Sequence, residues 1–187
     1  RTVVCDVHAR IKDNSIVLAG EVLNQDLHDR FVQHVRTKTK FEVIDSIAVL
    51  PQPSLGGQTY GVVSVSVASI RSKPGHAQEL ATQALLGTPL KVLKKEGGWY
   101  FVQTPDEYLG WIDDGFKLMD KTAFEDWAQS EKVIVTTNQA VTVRSAEKSS
   151  DVVSDVVAGC ILRLVKSSGK YFQVEYPDKR VAFLPTD

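Results

Sequence analysis

The second part of the chain runs through the same short motifs twice, and this internal repeat limits the folds open to it. The copies lie about 72 residues apart, which is too long for a solenoid unit and indicates two copies of one small domain. The matched segments are Ile70-Arg71-Ser72 and Val143-Arg144-Ser145, Gly87 and Gly159, Leu90-Lys91-Val92-Leu93 and Leu162-Arg163-Leu164-Val165, Tyr100-Phe101 and Tyr171-Phe172, Pro105-Asp106 and Pro177-Asp178, and Gly110-Trp111-Ile112 and Ala182-Phe183-Leu184. Short strands split by Gly and Pro turns predict a small β-barrel for each copy.

The residues before the repeat predict a small α+β unit. Two alternating strands flank the polar turn at residues 13–15, and Leu27, Phe31 and Val35 then recur at helical spacing. A third strand, rich in β-branched residues, covers residues 41–50. The order is therefore strand, strand, helix, strand.

Composition then gives the domain boundaries. Residues 51–57 are rich in Pro, Gly and Ser, as expected of a linker. We predict four parts: an α+β domain at 1–52, a first barrel at 58–119, a partly helical connector at 120–132 and a second barrel at 133–187. The predicted fold class is mainly β, with two barrels preceded by a small α+β domain.

Charge and composition exclude several functions. A formal net charge of −1 offers no field that would attract nucleic acid. We find no apolar run long enough for a transmembrane segment and no Cys/His spacing typical of zinc. Cys5 and Cys160 are expected to be free, buried and inert thiols, and Lys91, Lys94 and Lys95 a solvated strand edge.

Four segments of the first copy carry a specific resemblance. They are Ser66-Val-Ala-Ser-Ile-Arg-Ser-Lys-Pro74, Glu79-Leu-Ala-Thr-Gln-Ala-Leu-Leu-Gly87, Gly98-Trp99-Tyr100 and Tyr108-Leu-Gly-Trp111. This set resembles the first bacterial SH3 domain of the NlpC-type cysteine peptidases, which cut γ-D-glutamyl-L-diamino acid bonds in peptidoglycan fragments. In those enzymes two SH3-like barrels precede a papain-like catalytic domain, and residues 133–187 are similar to the second barrel.

The N-terminal unit carries a second resemblance. Its element order and the string Ile16-Val-Leu-Ala-Gly-Glu-Val22 resemble the BON domain of bacterial envelope proteins. That resemblance implies attachment to a membrane or a partner in the periplasm, and it carries no catalytic residue.

The peptidase site of the resembled family is missing from this sequence. The family's nucleophile lies in an Asp-Cys-Ser-Gly type motif with a histidine after it, and neither cysteine fits. Cys5 is followed, not preceded, by Asp6 and lies in an alternating strand, and every histidine precedes Cys160. We therefore expect a chain that is not an enzyme and has no cofactor. A papain-like domain, in cis or in trans, is expected to supply catalysis.

The resemblance also implies a ligand site. In the family, the first barrel grips the free amine of L-Ala-γ-D-Glu with a carboxylate just before the Thr-Gln pair and with the Tyr of Tyr-x-Gly-Trp. Tyr108 matches the second role. The acidic position is Ala81 in this chain, and the nearest carboxylate is Glu79, which we take as the candidate replacement.

Comparison of the two copies separates site from scaffold. Where the first copy has Trp99, Tyr108 and Trp111, the matched segments place Lys170, Arg180 and Phe183 in the second. We therefore assign Trp111 to the core and Trp99 and Tyr108 to a groove, with barrel packing as the alternative for all three. Arg71 and Arg144 recur, so they are expected to bind carbonyl groups of the loop that follows each.

The predicted function is non-catalytic recognition of short muropeptides in the periplasm, with the first barrel shaping one end of the cleft. The alternative is a stand-alone envelope adaptor that binds intact cell wall, a membrane or a partner protein. Recognition of proline-rich peptides needs an acidic and aromatic groove, and this chain supplies few residues for one.

Overall fold

The computed structural model describes residues 3–147 and 150–186, and it shows a mainly β protein, which confirms the predicted fold class. The chain forms two compact units, residues 1–56 and 57–187. Among the described residues, neither helix is long and apolar enough to cross a membrane.

The N-terminal unit is a three-stranded sheet with one helix. Its elements are β1 (Cys5–Lys12), β2 (Ser15–Val22), α1 (Gln25–Lys38) and β3 (Glu42–Val49). The strand order is β1-β2-β3: β1 and β2 form an antiparallel hairpin, and β3 runs parallel to β2 after the helical crossover. A Cβ at Gly20, where φ is +134°, would lie 2.0 Å from the Asp6 carbonyl oxygen, so this pairing requires glycine.

Polar contacts fix the helix of this unit. The Leu27 backbone N–H donates to the Asn24 side chain (2.9 Å), which caps α1. His28 lies between two carboxylates, with Nδ1 2.8 Å from Asp29 Oδ1 and Nε2 2.9 Å from Asp45 Oδ2. The pKa of His28 is raised, first by the hydrogen bond to Asp29 and then by the charge of Asp45. The second contact ties α1 to the sheet.

Residues 60–119 form a seven-stranded antiparallel sheet, the first β domain. Its strands are β4 (Tyr60–Val63), β5 (Val67–Arg71), β6 (Leu80–Leu85), β7 (Pro89–Glu96), β8 (Trp99–Gln103), β9 (Leu109–Ile112) and β10 (Phe116–Met119). They are ordered β10-β4-β7-β8-β9-β5-β6. The core consists of apolar side chains with no exposed surface, among them Val62, Ile70, Val92, Val102 and Ile112. Because β7 pairs with both β4 and β8, the prediction that Lys91 lies on a strand edge is wrong.

Helix α2 (Lys121–Gln129) follows this sheet. Its N-terminus is capped by Asp120, which accepts a hydrogen bond from the Ala123 backbone N–H (2.8 Å). Phe124 stacks on Tyr60 of β4 with ring centroids 4.7 Å apart, and Trp127 is buried. The helix thus packs two aromatic rings against its neighbours.

Residues 132–185 form a six-stranded antiparallel sheet, the second β domain. Its strands are β11 (Lys132–Ile134), β12 (Gln139–Val143), β13 (Val152–Val157), β14 (Ile161–Ser167), β15 (Tyr171–Glu175) and β16 (Val181–Pro185), ordered β11-β14-β15-β16-β12-β13. Tyr176 lies fully buried in its core, where its hydroxyl is hydrogen-bonded to Thr142 Oγ1 (2.7 Å).

Both β domains have the same backbone irregularities at the same spacing, about 72 residues. A bulge between Val92 and Lys94 recurs between Leu164 and Lys166. Left-handed backbone conformations recur likewise, at Gly87, Gly97 and Glu107 and at Gly159, Gly169 and Lys179. The two sheets therefore share one register with no insertion between these positions.

The two β domains pack against each other within one unit. The Ile161 N–H donates to the Leu86 carbonyl oxygen (2.9 Å), and Leu86 belongs to the core of the second β domain. A Cβ at Gly87 would lie 2.4 Å from the Ile161 carbonyl oxygen, so the backbones approach as closely as glycine allows. The relative position of the two β domains is fixed by these contacts.

Candidate functional site

The face of the first β domain opposite Val102 and Ile112 carries a row of cations and aromatic rings. Lys94, Phe101, Trp111 and Arg71 are cross-strand neighbours on β7, β8, β9 and β5. The Phe101 and Trp111 rings are 5.1 Å apart, and Lys94 Nζ lies 5.7 Å and 5.5 Å from their centroids. Trp111 is only 7% exposed under this cover.

Arg71 closes one end of the row and holds the loop between β5 and β6. Its Nη1 donates to the Gln78 carbonyl oxygen (2.7 Å), which confirms the predicted carbonyl contact. The same loop is closed by the Ser72 N–H, which donates to the Glu79 carbonyl oxygen (2.9 Å). We call residues 72–79 the β5–β6 loop.

Trp99, the first residue of β8, lies next to the C-terminal end of β9, beside a polar cavity. The ring of His76, from the β5–β6 loop, meets the Trp99 ring edge-on with centroids 5.1 Å apart, and His76 Nδ1 lies 3.6 Å from Asp113 Oδ2. The cavity has a volume of about 250 Å³, and Asp114 and Ser69 also line it. Arg71 lines it too, so its carboxylates, imidazole and guanidinium suit a ligand with both hydrogen-bond donors and acceptors, such as hydroxyl groups.

Tyr108 lies at the opposite end of β9, directly before its first residue. The Thr104 N–H donates to the Tyr108 carbonyl oxygen (3.0 Å), and Glu107 has a left-handed φ of 67°. These contacts fix the backbone of the turn, while the Tyr108 side chain is 48% exposed. An exposed aromatic on a fixed turn is available to a ligand.

Glu79 lies at the same end of β5 as Tyr108. Arg71, the last residue of β5, pairs with Leu80 on one side and with Trp111 on the other, so the residues preceding β6 and β9 both lie beyond the end of β5. Glu79 is exposed there. The structure thus brings Tyr108 and Glu79 to one end of β5 and leaves Trp99 at the other end of β9.

The register corrects the alignment of the two copies. Tyr100 pairs with Ile112 as Phe172 pairs with Leu184, and the turn glycines Gly97 and Gly169 correspond. Trp99 therefore corresponds to Tyr171, because each residue opens its strand after the same turn. The sequence-based match of Trp99 with Lys170 is wrong by one residue, so an aromatic at this position is not particular to the first copy.

Arg180 of the second β domain does occupy the position of Tyr108 in the first, but the two side chains have different surroundings. Its Nη2 donates to the Ser64 carbonyl oxygen (3.1 Å), its Nε donates to Asp178 Oδ2 (2.7 Å), and its guanidinium lies 4.5 Å from the Tyr176 ring centroid. In the second β domain this position joins the two domains. In the first β domain it is exposed.

Sequence reasoning missed His76 and Asp113 as neighbours of Trp99. A lone loop histidine carries no pattern, and its acidic neighbour lies on a distant turn. The only signal in the sequence was the adjacent Asp113-Asp114 pair, which follows the matched segment Gly110-Trp111-Ile112.

The two cysteines differ from each other. Cys160 is buried as expected, with its thiol donating to the Ser66 carbonyl oxygen (3.6 Å). Cys5 is exposed, so the prediction that it is buried is wrong. Its strand, β1, is one of the two edge strands of the three-stranded sheet, and among the described strands it pairs with β2 alone. Within the described residues, no group of His, Cys, Asp and Glu side chains is arranged to hold a metal ion.

The comparison with protein families matches the segment that contains the candidate ligand-binding residues. Residues 70–115 match the bacterial dipeptidyl-peptidase SH3 domain. This segment is a bacterial SH3 domain. It includes Glu79, Trp99 and Tyr108, together with the β5–β6 loop. No curated protein matches the chain.

The SH3-containing fold is also found in solved structures. A NlpC/P60 family protein from Bacillus cereus ATCC 10987 is similar over 68% of this chain and 54% of its own length, with 20% identity and a TM-score of 0.58. A NlpC/P60 endopeptidase from Photobacterium damselae subsp. piscicida aligns over 74% of this chain and 34% of its own, with 15% identity and a TM-score of 0.49. The first likeness shows a shared fold. The chain spans about half the length of that relative.

Proposed function

We propose that this chain is the non-catalytic recognition part of a peptidoglycan endopeptidase of the NlpC type. What supports the proposal is the order of the strands: Tyr108 precedes β9 and Glu79 precedes β6, and both strands begin at the same end of β5. Both residues lie in the segment that matches the bacterial dipeptidyl-peptidase SH3 domain. The ligand is a short muropeptide that begins with L-Ala-γ-D-Glu. A papain-like catalytic domain acts in cis or in trans.

The chemistry of the pair suits a peptide amine. The Glu79 carboxylate supplies a counter-charge for the ammonium group, and the Tyr108 hydroxyl accepts a hydrogen bond or its ring face meets the cation. Both side chains are exposed, so neither has to be released from packing before it binds. Because both lie on fixed backbone at the end of β5, little ordering free energy is lost on binding.

The two β domains have different roles in this proposal. Arg180, at the position of Tyr108, contacts the Ser64 carbonyl and is committed to domain packing. The second β domain thus positions the first, which then forms one wall of the substrate cleft. Trp99 and its polar cavity contact a different part of the ligand, since they lie at the other end of β9 from Tyr108.

The remaining parts of the proposal concern place and catalysis. In this proposal the catalytic thiol belongs to the papain-like domain, because Cys160 is buried with its thiol donating to the Ser66 carbonyl oxygen and no histidine follows it in the sequence. We place the protein in the bacterial envelope, in the periplasm. The N-terminal unit, as a BON-like domain, attaches it there to a membrane or a partner.

A heteronuclear NMR titration with L-Ala-γ-D-Glu-diamino acid tripeptide tests this proposal. We expect saturable shifts at Tyr108 and Glu79 that Tyr108→Ala abolishes. Tyr171→Ala, which removes an aromatic of the second β domain, is the control and retains them. Binding to intact sacculi without any response to the tripeptide would contradict the proposal and support the adaptor function.

A further inference from the structure

Helix α2 packs on the first β domain, where Trp127 is buried with Val62 and Met119, and it also contacts the second β domain through Asp126 and Trp127. Lys132, Arg163 and Glu175 are neighbours across β11, β14 and β15. The Trp127 ring lies over two of these side chains, with its centroid 4.8 Å from Lys132 Nζ and 6.0 Å from Arg163 Cζ. Arg163 also forms an ion pair with Asp126, the residue before Trp127. An adjacent carboxylate and aromatic ring thus occupy this face.

Strands β4, β7 and β8 of the first β domain form a face that corresponds to the face of β11, β14 and β15. Tyr60, Lys91 and Gln103 are neighbours across β4, β7 and β8, in the same register as the three residues of the second β domain. A cavity of about 270 Å³ lies here, lined also by Pro89, Leu90, Thr104, Pro105, Glu107 and Phe124. We call it the β4–β7 pocket.

The two faces differ in what covers them. On the face of the second β domain, the Arg163 side chain is only 17% exposed and forms ion pairs with Asp126 and Glu175. On the face of the first β domain, Phe124 stacks on Tyr60 and covers one side of the β4–β7 pocket, whereas Lys91 is exposed. Within residues 3–147 and 150–186, Lys91 forms no ion pair. The basic position of the first β domain is therefore open.

We propose that the β4–β7 pocket binds a segment of a partner protein that carries an aromatic side chain next to a carboxylate. Lys91 takes the place of Arg163 and pairs with the carboxylate, while Tyr60, Phe124 and the two prolines contact the ring. A cavity of this size holds one aromatic side chain with its backbone, and it lies below the range of about 300–1,000 Å³ typical of small-molecule sites. Glu107 at its rim disfavours a second carboxylate there.

This pocket adjoins the proposed muropeptide site, because Glu107 directly precedes Tyr108, but it is lined by different residues. Its lining includes none of Tyr108, Glu79 and Trp99. The proposal therefore does not depend on the proposed function, and it gives the first β domain a second contact through which a partner protein can dock.

The test uses the full chain, ¹⁵N-labelled, and the capped peptide acetyl-Ala-Asp-Trp-Ala-amide. We expect saturable shifts at Tyr60, Lys91 and Glu107. Replacing the peptide Asp by Asn, or Lys91→Gln in the protein, should weaken binding about five- to tenfold. Lys117→Gln, which removes another exposed lysine of the same sheet, should leave the affinity unchanged.

Two further variants separate this proposal from the proposed function. Tyr108→Ala should retain peptide binding, and Lys91→Gln should retain tripeptide binding. The proposal is overturned if the peptide gives no saturable shifts at millimolar concentration, or if Lys91→Gln and the Asn peptide bind unchanged. It is also overturned if the muropeptide tripeptide shifts the pocket residues and displaces the peptide.

Discussion

Arg180 and Ser64 join the two β domains: the Arg180 guanidinium donates to the Ser64 carbonyl oxygen across 3.1 Å. The same guanidinium is held by Asp178 and lies over the Tyr176 ring, so its position is fixed from within the second β domain. The residue at the corresponding place in the first β domain is the exposed Tyr108. One position of a shared scaffold thus serves domain packing in one copy and stays open in the other.

Loss of this contact should weaken the unit that comprises both β domains. Arg180→Ala leaves the Ser64 carbonyl without its charged donor, and we expect unfolding to become easier by about 1 kcal/mol in urea denaturation. Arg144→Ala is the matched control. The Arg144 side chain is 75% exposed, and its ion pair with Asp151 is long, at 3.9 Å. The free energy of unfolding should therefore change by no more than about 0.5 kcal/mol. Equal effects of the two variants would argue against a role for Arg180 in domain packing.

The close approach at Gly87 predicts a larger effect. Gly87→Ala forces a side chain into a φ of +87° and toward the Ile161 carbonyl oxygen, and we expect a loss of about 3 kcal/mol in the free energy of unfolding. Gly97→Ala has a φ of +58° with open space around it, so it should cost only about 1 kcal/mol. Chemical denaturation of both variants checks the difference, and similar losses would show that the domain contact is not the cause.

The His28 contacts predict a pH dependence of the N-terminal unit. The pKa of His28 is raised above 6.5, so the folded unit binds this proton more tightly than the unfolded chain. The stabilisation is present in full below about pH 6.5 and is lost as the pH rises through the folded pKa. Histidine NMR signals followed from pH 5.5 to 8.5 should give a His28 pKa above 6.5, and Asp45→Asn should lower the His28 pKa. A His28 pKa at or below 6.5 would contradict this.

Much of the fold was predictable because the repeat and the strand patterns are local signals. Gly87 and Gly159 marked the same turn in both copies, and the connector at 120–132 was predicted to be partly helical, as α2 is. Turn residues and apolar periods report the conformation of their own segment, which is why these features could be read from one chain.

The misalignment of Trp99 shows where such signals fail. Matching Tyr100 with Tyr171 by residue type shifted β8 by one position, and a one-residue slip moves every side chain to the other face of a strand. The structure restores the match through cross-strand pairing, which the sequence does not contain. The same limit hid the His76 and Asp113 pair, whose partners are far apart in the chain, and the exposure of Cys5, which depends on what covers an outer strand.

In the proposed function, the first β domain recognises the free amine of a short muropeptide through Glu79 and Tyr108. The most direct test is a calorimetric titration of the full chain with L-Ala-γ-D-Glu-diamino acid tripeptide and with the same tripeptide acetylated on the alanine nitrogen. We predict that the free amine binds at least about tenfold more tightly and that Glu79→Gln removes most of this difference. Equal affinities for the two tripeptides, or a preference that Glu79→Gln leaves unchanged, would contradict the account.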